Sequence, residues 1–433
     1  MALGGGNFTV QNKILPGSYI NFVSVANASS ILSDRGIAAI GFELDFGIEN
    51  KVFEVTNTDF QKNSMKIFGY DYTSDKLKGL RDLFLNVKTL YAYRLNGGGE
   101  KASNDFATAK YSGLRGNDLK IIIKQNVDDK SKFDVKTVID SDVVDVQTVT
   151  KSAELKSNDY VDFKENVELK LTAATPLSGG TNGEVNGKSH QDFLDKVEKY
   201  NFNAIGCTAL EDTIKSLYIS FCKRLRDEMG KKFQAIIYNK DADYEGVVNV
   251  KNKVTGSKEG NLVYWVTGVI AGTPVNKSAL NKIYNGEFAI DVDYTQSQLE
   301  TSISSGEFVL HKVGNDIRVL TDINSLTTTS DEKGEVFKDN QTIRVIDQIA
   351  NDIAVIFNTK YLGVVPNDAS GRISLWSDII KHHNNLQNIR AIENFKDDDV
   401  KVFQGDTKKA VVVTDIVTVV NTMEKLYMTV SIK

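Results

Sequence analysis

Proline is scarce in this chain, with four in 433 residues, and cysteine scarcer still, with two; histidine stops at four. Cys207 and Cys222 fall where a buried strand leads into a helix, so they read as reduced core thiols and not as a disulfide. His382 and His383 are neighbours on a helix, where side chains diverge by about 100°, and cannot share a metal; they read as a solvated pair. His190 and His311 have no Cys or His at ligand spacing and read as ordinary surface or interface residues. Nowhere do about 18 apolar residues run together, and the amino terminus has neither a basic nor an apolar leader segment. The expectation is a protein made in the cytoplasm that stays soluble. An excess of one charge is missing too. The 52 Lys+Arg and 57 Asp+Glu interleave to a formal net charge of -5, with no basic stripe to neutralise a run of phosphates, so nucleic acid is not an expected partner.

The motifs of catalysis are equally absent. Gly187-Lys188-Ser189 resembles the end of a phosphate-binding loop, but that pattern needs a glycine at position 182, which is Asn182. The segment reads as a glycine-rich linker. Asp397-Asp398-Asp399 lacks the alternating ligands, central glycine and closing glutamate of a calcium loop and reads as a solvated turn. There is no Gly-x-Ser-x-Gly elbow and no His-Glu-x-x-His helix. No catalytic, cofactor-binding or metal-ligating residue is expected, and the chain is read as a structural protein that is not an enzyme.

What is present suffices for roughly two to four domains. Hydrophobic residues at 41% and charged residues at 25% are globular proportions. Gly4, Gly5 and Gly6 form a leader to a short alternating strand at Phe8 and Val10, in an N-terminal arm over residues 1–25 that ends beyond the turn at Pro16-Gly17. Residues 26–96 place the runs Ile37–Ile40 and Leu90–Tyr93 around a polar helix over Ser74–Asn86. From 97 to 185 the β-branched runs Ile121–Ile123, Val135–Ile139, Val143–Val149 and Val167–Leu171 predict an all-β domain. Glycines at 97–99 and at 179, 180, 183 and 187 bracket it, so it is read as an insertion into an α/β middle domain of residues 26–96 plus 186–330.

In the second half of that domain, Leu210, Ile214, Leu217, Phe221, Leu225 and Met229 form a helical stripe capped by Gly230. Phe233–Tyr238 reads as a buried strand, and Asn261–Tyr284 as largely helical. A C-terminal domain over 331–433 holds one helix with Ile343, Ile346, Ile349, Ile353 and Ile356 on a face, a second across Ile373–Ile380, and strands from Val400 onward. The fold class is therefore a multidomain α+β or α/β protein: an α/β core, an inserted all-β domain and extended strand arms at both ends.

At the end, Leu426, Met428, Val430 and Ile432 alternate with Tyr427, Thr429, Ser431 and Lys433. A strand with one apolar face must pair with something, because its backbone groups and side chains are otherwise left in water. Two readings stay open. The arm over about 424–433 pairs within its own subunit, or it is donated to a neighbour by β-augmentation. Phe8 and Val10 on their glycine tether pose the same question at the other end.

Read in order, the chain resembles the contractile tail sheath family of phages and phage-tail-like bacteriocins, in the branch from Gram-positive bacteria. The residues that carry the resemblance are Pro16-Gly17-Ser18-Tyr19, Arg35-Gly36-Ile37-Ala38, Asp45-Phe46-Gly47, Tyr93-Arg94-Leu95 and Gly116-Asn117-Asp118. Further on they are Gly268 to Gly272 with Asn276-Lys277-Ser278, Asp322 to Leu326, Arg344-Val345-Ile346-Asp347, Gly363-Val364-Val365-Pro366-Asn367 and Met423 to Val430. The resemblance implies a subunit of hexameric rings stacked helically on a tail tube and meeting baseplate and tail terminator proteins. It implies that the terminal strands, through Phe8, Val10, Leu426, Met428, Val430 and Ile432, join a sheet in adjacent subunits, with the C-terminal domain inside and the inserted domain outside. No cofactor, nucleic acid or membrane insertion is implied, and the place is a virion tail or bacteriocin particle. A sheath of a related injection or secretion system would share the fold. The alternation of helices and strands alone would also fit an α/β ligand-binding enzyme.

Overall fold

The computed structural model describes residues 32–432; Phe8, Val10 and the rest of the N-terminal arm lie outside the described residues. Two compact units are present. One takes residues 34–351 and 419–432, the other 352–418 with residues 32–33.

In chain order the larger unit opens with β1 (Ile37–Phe42), β2 (Phe53–Thr56), α1 (Asn57–Phe68), α2 (Lys78–Phe84) and β3 (Thr89–Arg94). The insertion follows: β4 (Ala107–Ala109), β5 (Leu119–Gln125), β6 (Phe133–Ile139), β7 (Asp142–Val149), β8 (Val161–Phe163) and β9 (Thr172–Pro176). Then come α3 (Gly187–Val197), β10 (Ala204–Cys207), α4 (Asp212–Lys223), β11 (Gln234–Tyr238), β12 (Val247–Val250), α5 (Leu262–Gly272) and α6 (Gln296–Ser304). The strands β13 (Glu307–Phe308), β14 (Leu310–Val313) and β15 (Asp316–Val319) precede α7 (Asn340–Ile356), within which the boundary between units falls.

Seven strands form one sheet in the order β13-β12-β11-β10-β1-β3-β2. All neighbours are parallel except β2, which runs antiparallel to β3. A parallel sheet covered on both faces needs apolar side chains on both, and β11 has no exposed position. Alternation along β1 sends Ala38, Ile40 and Phe42 into a core shared with α2 and α5, and Ala39 into a second core under α3 and α4. Helix α5 lies close to α2 because it carries glycine where they meet. A Cβ on Gly272 would stand 1.8 Å from the Asn86 carbonyl, and one on Gly268 would stand 2.6 Å from that of Leu83.

In the insertion, four strands pair antiparallel as β7-β6-β5-β9 and β4 pairs with β8, around a third core of which Leu119, Ile121, Val135 and Ile139 are part. This is the mixed α/β, multidomain class expected from the sequence, with its β-rich insertion. In the second unit, α8 (Ala369–Asn388), β16 (Ile392–Glu393), β17 (Val400–Gln404) and β18 (Val411–Asp415) follow the end of α7, and β17 and β18 form a two-stranded antiparallel ladder.

Three local expectations are corrected. Residues 261–284 are helical only through Gly272, because Thr273 turns to an extended conformation (ψ 126°) and Pro274 cannot continue the helix. The run Val167–Leu171 is not a strand: Leu171 is exposed, and the pairing strand starts at Thr172. Gly187-Lys188-Ser189 is not a linker but the first turn of α3, where Asn186 accepts from the amides of Lys188 and Ser189 in a capping box.

Candidate assembly surfaces

The chain's last segment leaves its fold at a definite point. Gln341 at the start of α7 donates from Nε2 to the Val420 carbonyl at 2.9 Å and accepts from the Thr422 amide at 3.2 Å, and the Thr342 hydroxyl pairs with the Asn421 side chain. Beyond this clamp no residue from 423 to 432 is in a helix or strand, and every one is exposed. Leu426 is 86% exposed, Met428 75%, Val430 69% and Ile432 94%. Their alternation with polar residues is therefore not used up by a sheet among the described residues of the same chain.

A second surface lies in the smaller unit. Among the described residues the β17–β18 ladder has two strands, so each strand keeps one edge without a strand partner. Phe403, Val412 and Val413 on it are exposed. Such an edge is a template for further strands unless it is covered. Beside it, a cavity of about 470 Å³ is lined by Tyr361, Leu362, Val365, Pro366, Leu375 and Val411, with Arg372, Lys408 and Lys409 at its wall. Asn367 holds the start of β18 to this wall by donating to the carbonyls of Lys408 and Ala410 at 3.0 and 2.8 Å.

The ladder is tied to α8 by the two histidines read from the sequence as solvated, which is corrected: His382 and His383 are both fully buried. Their backbones are adjacent, but α8 turns both inward. Nε2 of His382 lies 3.0 Å from Asp352 Oδ2 and Nε2 of His383 lies 2.8 Å from Asp415 Oδ2 on β18, while the two Nδ1 atoms stand 3.3 Å apart. A carboxylate only accepts, so each Nε2 carries the proton that it donates. Both Nε2 atoms are thus engaged by carboxylates, and no group of three metal-ligating side chains exists among the described residues. His190 is likewise no surface residue. It is 3% exposed, its Nδ1 lies 2.9 Å from the Tyr218 hydroxyl, and burial first of all lowers its pKa to about 4, so the ring is neutral.

The remaining chemistry is structural. Both cysteines are free and buried, and burial pushes each thiol up to about 12, away from nucleophilic use. At the root of the insertion, Arg94 is 1% exposed and donates to the carbonyls of Ser112 at 2.7 Å and Gly47 at 3.3 Å. Glu49 accepts from the Ser112 hydroxyl at 2.5 Å and the Gly98 amide at 2.8 Å. Burial pushes the Glu49 carboxyl up, yet these bonds outweigh it and its pKa is lowered. The arrangement fixes the insertion to the sheet without offering a reacting group.

Sequence reasoning named the C-terminal side chains and missed the β17–β18 ladder, the clamp of Gln341 and Thr342, and the buried histidines. The β-branched run Val411-Val412-Val413 could have pointed to the ladder. The clamp and histidine pair are long-range contacts with no local signal.

Comparison with known proteins follows the same order along the chain. Residues 35–95 match the tail sheath protein Gp18 domain III N-terminal region, 96–182 the phage tail sheath protein beta-sandwich domain, 183–325 the phage tail sheath protein central domain and 332–433 the phage tail sheath C-terminal domain. The phage-like element PBSX protein XkdK of Bacillus subtilis is 32% identical over 99% of this chain and all of its own length. Among solved structures, the sheath tail protein from Desulfitobacterium hafniense superposes with a TM-score of 0.82 at 36% identity, over 95% of this chain and 99% of that one. The helical sheath of the anti-feeding prophage in its contracted state shares the fold, with a TM-score of 0.55 at 13% identity, over 97% and 99% of the two chains. Similarity to Bacillus proteins over the whole chain fits the Gram-positive branch. The chain belongs to the phage tail sheath protein family.

Proposed function

We propose that this sheath subunit polymerises helically around a tail tube through exchanged terminal strands, and that the assembly contracts to drive the tube through a cell envelope. One observation carries the reading. Residues 423–432 leave the fold with the period-two apolar side chains of Leu426, Met428, Val430 and Ile432 in solvent, while among the described residues β17–β18 keeps two edges without strand partners. A donated tail laid along such an edge satisfies backbone groups on both sides and buries alternate side chains. Phe8 and Val10 of the N-terminal arm take the equivalent role at the other edge.

Because a subunit gives at one place and receives at another, the contact is head-to-tail, and such contacts build open helices where the rotation does not close. In this reading the partners are other copies of the chain in stacked hexameric rings, a tail tube protein, and baseplate and terminator proteins. Residues 97–185 face outward and 331–433 face the tube. Contraction is a rigid-body rearrangement with the strand links kept, its energy held in a kinetically trapped extended state. No catalysis or cofactor is called for, and the particle is a virion tail or a bacteriocin.

The test is truncation. Removing residues 424–433, or residues 1–14, is expected to leave a folded chain that forms no tubes in negative-stain micrographs, whereas the full chain forms them. Normal tubes from either truncated chain would defeat the strand-exchange mechanism.

A further inference from the structure

Helix α8 sets His382 and His383 in one row with two carboxylates, Asp352 near the end of α7 and Asp415 at the end of β18. Three contacts join the four side chains: Asp352 to His382 Nε2, the two Nδ1 atoms to each other at 3.3 Å, and His383 Nε2 to Asp415. Each contact needs one proton to be a hydrogen bond. Two neutral imidazoles bring one proton each, and two carboxylates bring none. The row is therefore one proton short. In that state the Nδ1 lone pairs face each other between two rings that are 0% exposed, where neither can turn to water. A third proton completes the row and makes one ring a cation between two anions, the partners that favour a charged imidazole.

Among the described residues no further carboxylate lies within ion-pair distance of either ring. Asp352 also accepts from the Ser33 hydroxyl at 2.5 Å and amide at 3.3 Å, and the Phe395 ring stands 5.0 Å from that of His383, centre to centre. On α8, Lys381 is exposed, Arg372 donates to Asn367 and Asp378 pairs with Lys360. On α7, Arg344 and Asp347 are paired with Asp322 and Arg226. Glu393 of β16 and Lys401 of β17 are exposed, and Asp415 is the one charge on β18. The Asp415 side chain is itself 27% exposed, which opens a path for a proton between the row and water.

We propose that the row holds a third proton and works as a proton-controlled latch, tying β18 through both histidines to α8 and to Asp352. The proton comes from water and returns to it, so nothing else is consumed. When alkaline solution removes it, the Nδ1 lone pairs oppose each other, the link between the rings is lost, and β17–β18 opens from α8 more often. The latch lies within one chain and stands whether or not β17–β18 accepts strands from a neighbour.

The sign follows from proton counting. Exposed histidines lose their protons near a pH of about 6.5, so above about pH 7 the latched state binds one proton more than the opened state and is weakened as pH rises. The experiment is amide hydrogen exchange of the full chain between about pH 7 and 9, corrected for the intrinsic exchange rate, with β10–β11 as internal reference. Protection of β17–β18 should fall about tenfold per pH unit, the effect of one proton, while β10–β11 stays level. In His382→Gln, whose amide can still donate to Asp352, no third proton is needed and the pH dependence should vanish. Nitrogen NMR of the parent chain labelled in histidine needs no variant: at about pH 7 the two Nδ1 atoms of the row should together account for one protonated and one bare nitrogen. Two bare Nδ1 atoms, protection of β17–β18 that is level with pH, or the same slope in His382→Gln, overturns the proposal.

Discussion

Asp82 offers a measurable consequence of burial. It is fully buried on α2, where Oδ1 accepts from the Glu287 amide at 2.8 Å and Oδ2 from the Tyr284 hydroxyl at 3.1 Å. Desolvation dominates these two bonds and raises its pKa from 3.8 to about 6. The sign follows from linkage. Between those values the folded chain binds a proton that the unfolded chain does not, so this group adds stability as pH falls through 6 and withdraws it as pH rises. At 1.36 kcal/mol per pKa unit, the contribution gained from pH 7.5 to 4.5 is about 2 kcal/mol. Asp82→Asn removes the titration while keeping shape and an acceptor for the Glu287 amide. The assay is urea denaturation at several pH values, followed by Trp265, whose ring lies 5.1 Å from that of Tyr284, in a Trp376→Phe background that leaves one tryptophan. Relative to the Asp82→Asn variant, the parent should gain about 2 kcal/mol on acidification. All other groups cancel in that difference, so a gap constant with pH would refute the reasoning.

Arg226 and Asp347 form a bidentate pair at 2.6 and 2.8 Å, 3% and 7% exposed, between the turn after α4 and α7. Arg226→Met alone should cost about 3–5 kcal/mol by leaving a buried charge unpaired. Pairing it with Asp347→Leu should recover most of the loss in a urea double-mutant cycle. His383→Ala removes the partner of Asp415 and should cost about 2–3 kcal/mol. Hydrogen exchange would report it as faster opening of β17–β18, with β10–β11 in the other unit unaffected.

The central strands were legible because a parallel sheet buried on both faces demands unbroken apolar runs, as Ile37–Ile40 and Phe233–Tyr238 supply. The stripe from Leu210 to Met229 revealed α4 for the same reason, although Leu210 and Met229 at its ends are exposed. Errors came where local signals competed. The apolar run after Asn261 continues past Gly272 toward residue 284, and Pro274, which ends the helix, was outweighed by composition. At Gly187 the glycine suggested a linker, while the deciding residue was the cap Asn186. The histidines misled because a sequence gives neither the direction of α8 nor the carboxylates at Asp352 and Asp415 that meet it. Of the candidate site, the exposed C-terminal side chains were readable from their period of two. The open edges of β17–β18 were not, because an edge is defined by which strands fail to arrive.

The clamp of Gln341 and Thr342 on residues 420–422 also acts as a ruler. Ten residues separate Thr422 from Ile432, and an extended chain covers at most about 3.3–3.6 Å per residue. The stretch from Thr422 to Ile432 therefore reaches no more than about 35 Å from this anchor. If the proposed strand exchange holds, Leu426, Met428, Val430 and Ile432 must find their partner strand within that distance of the clamp, so the clamp fixes how far from α7 the pairing can lie.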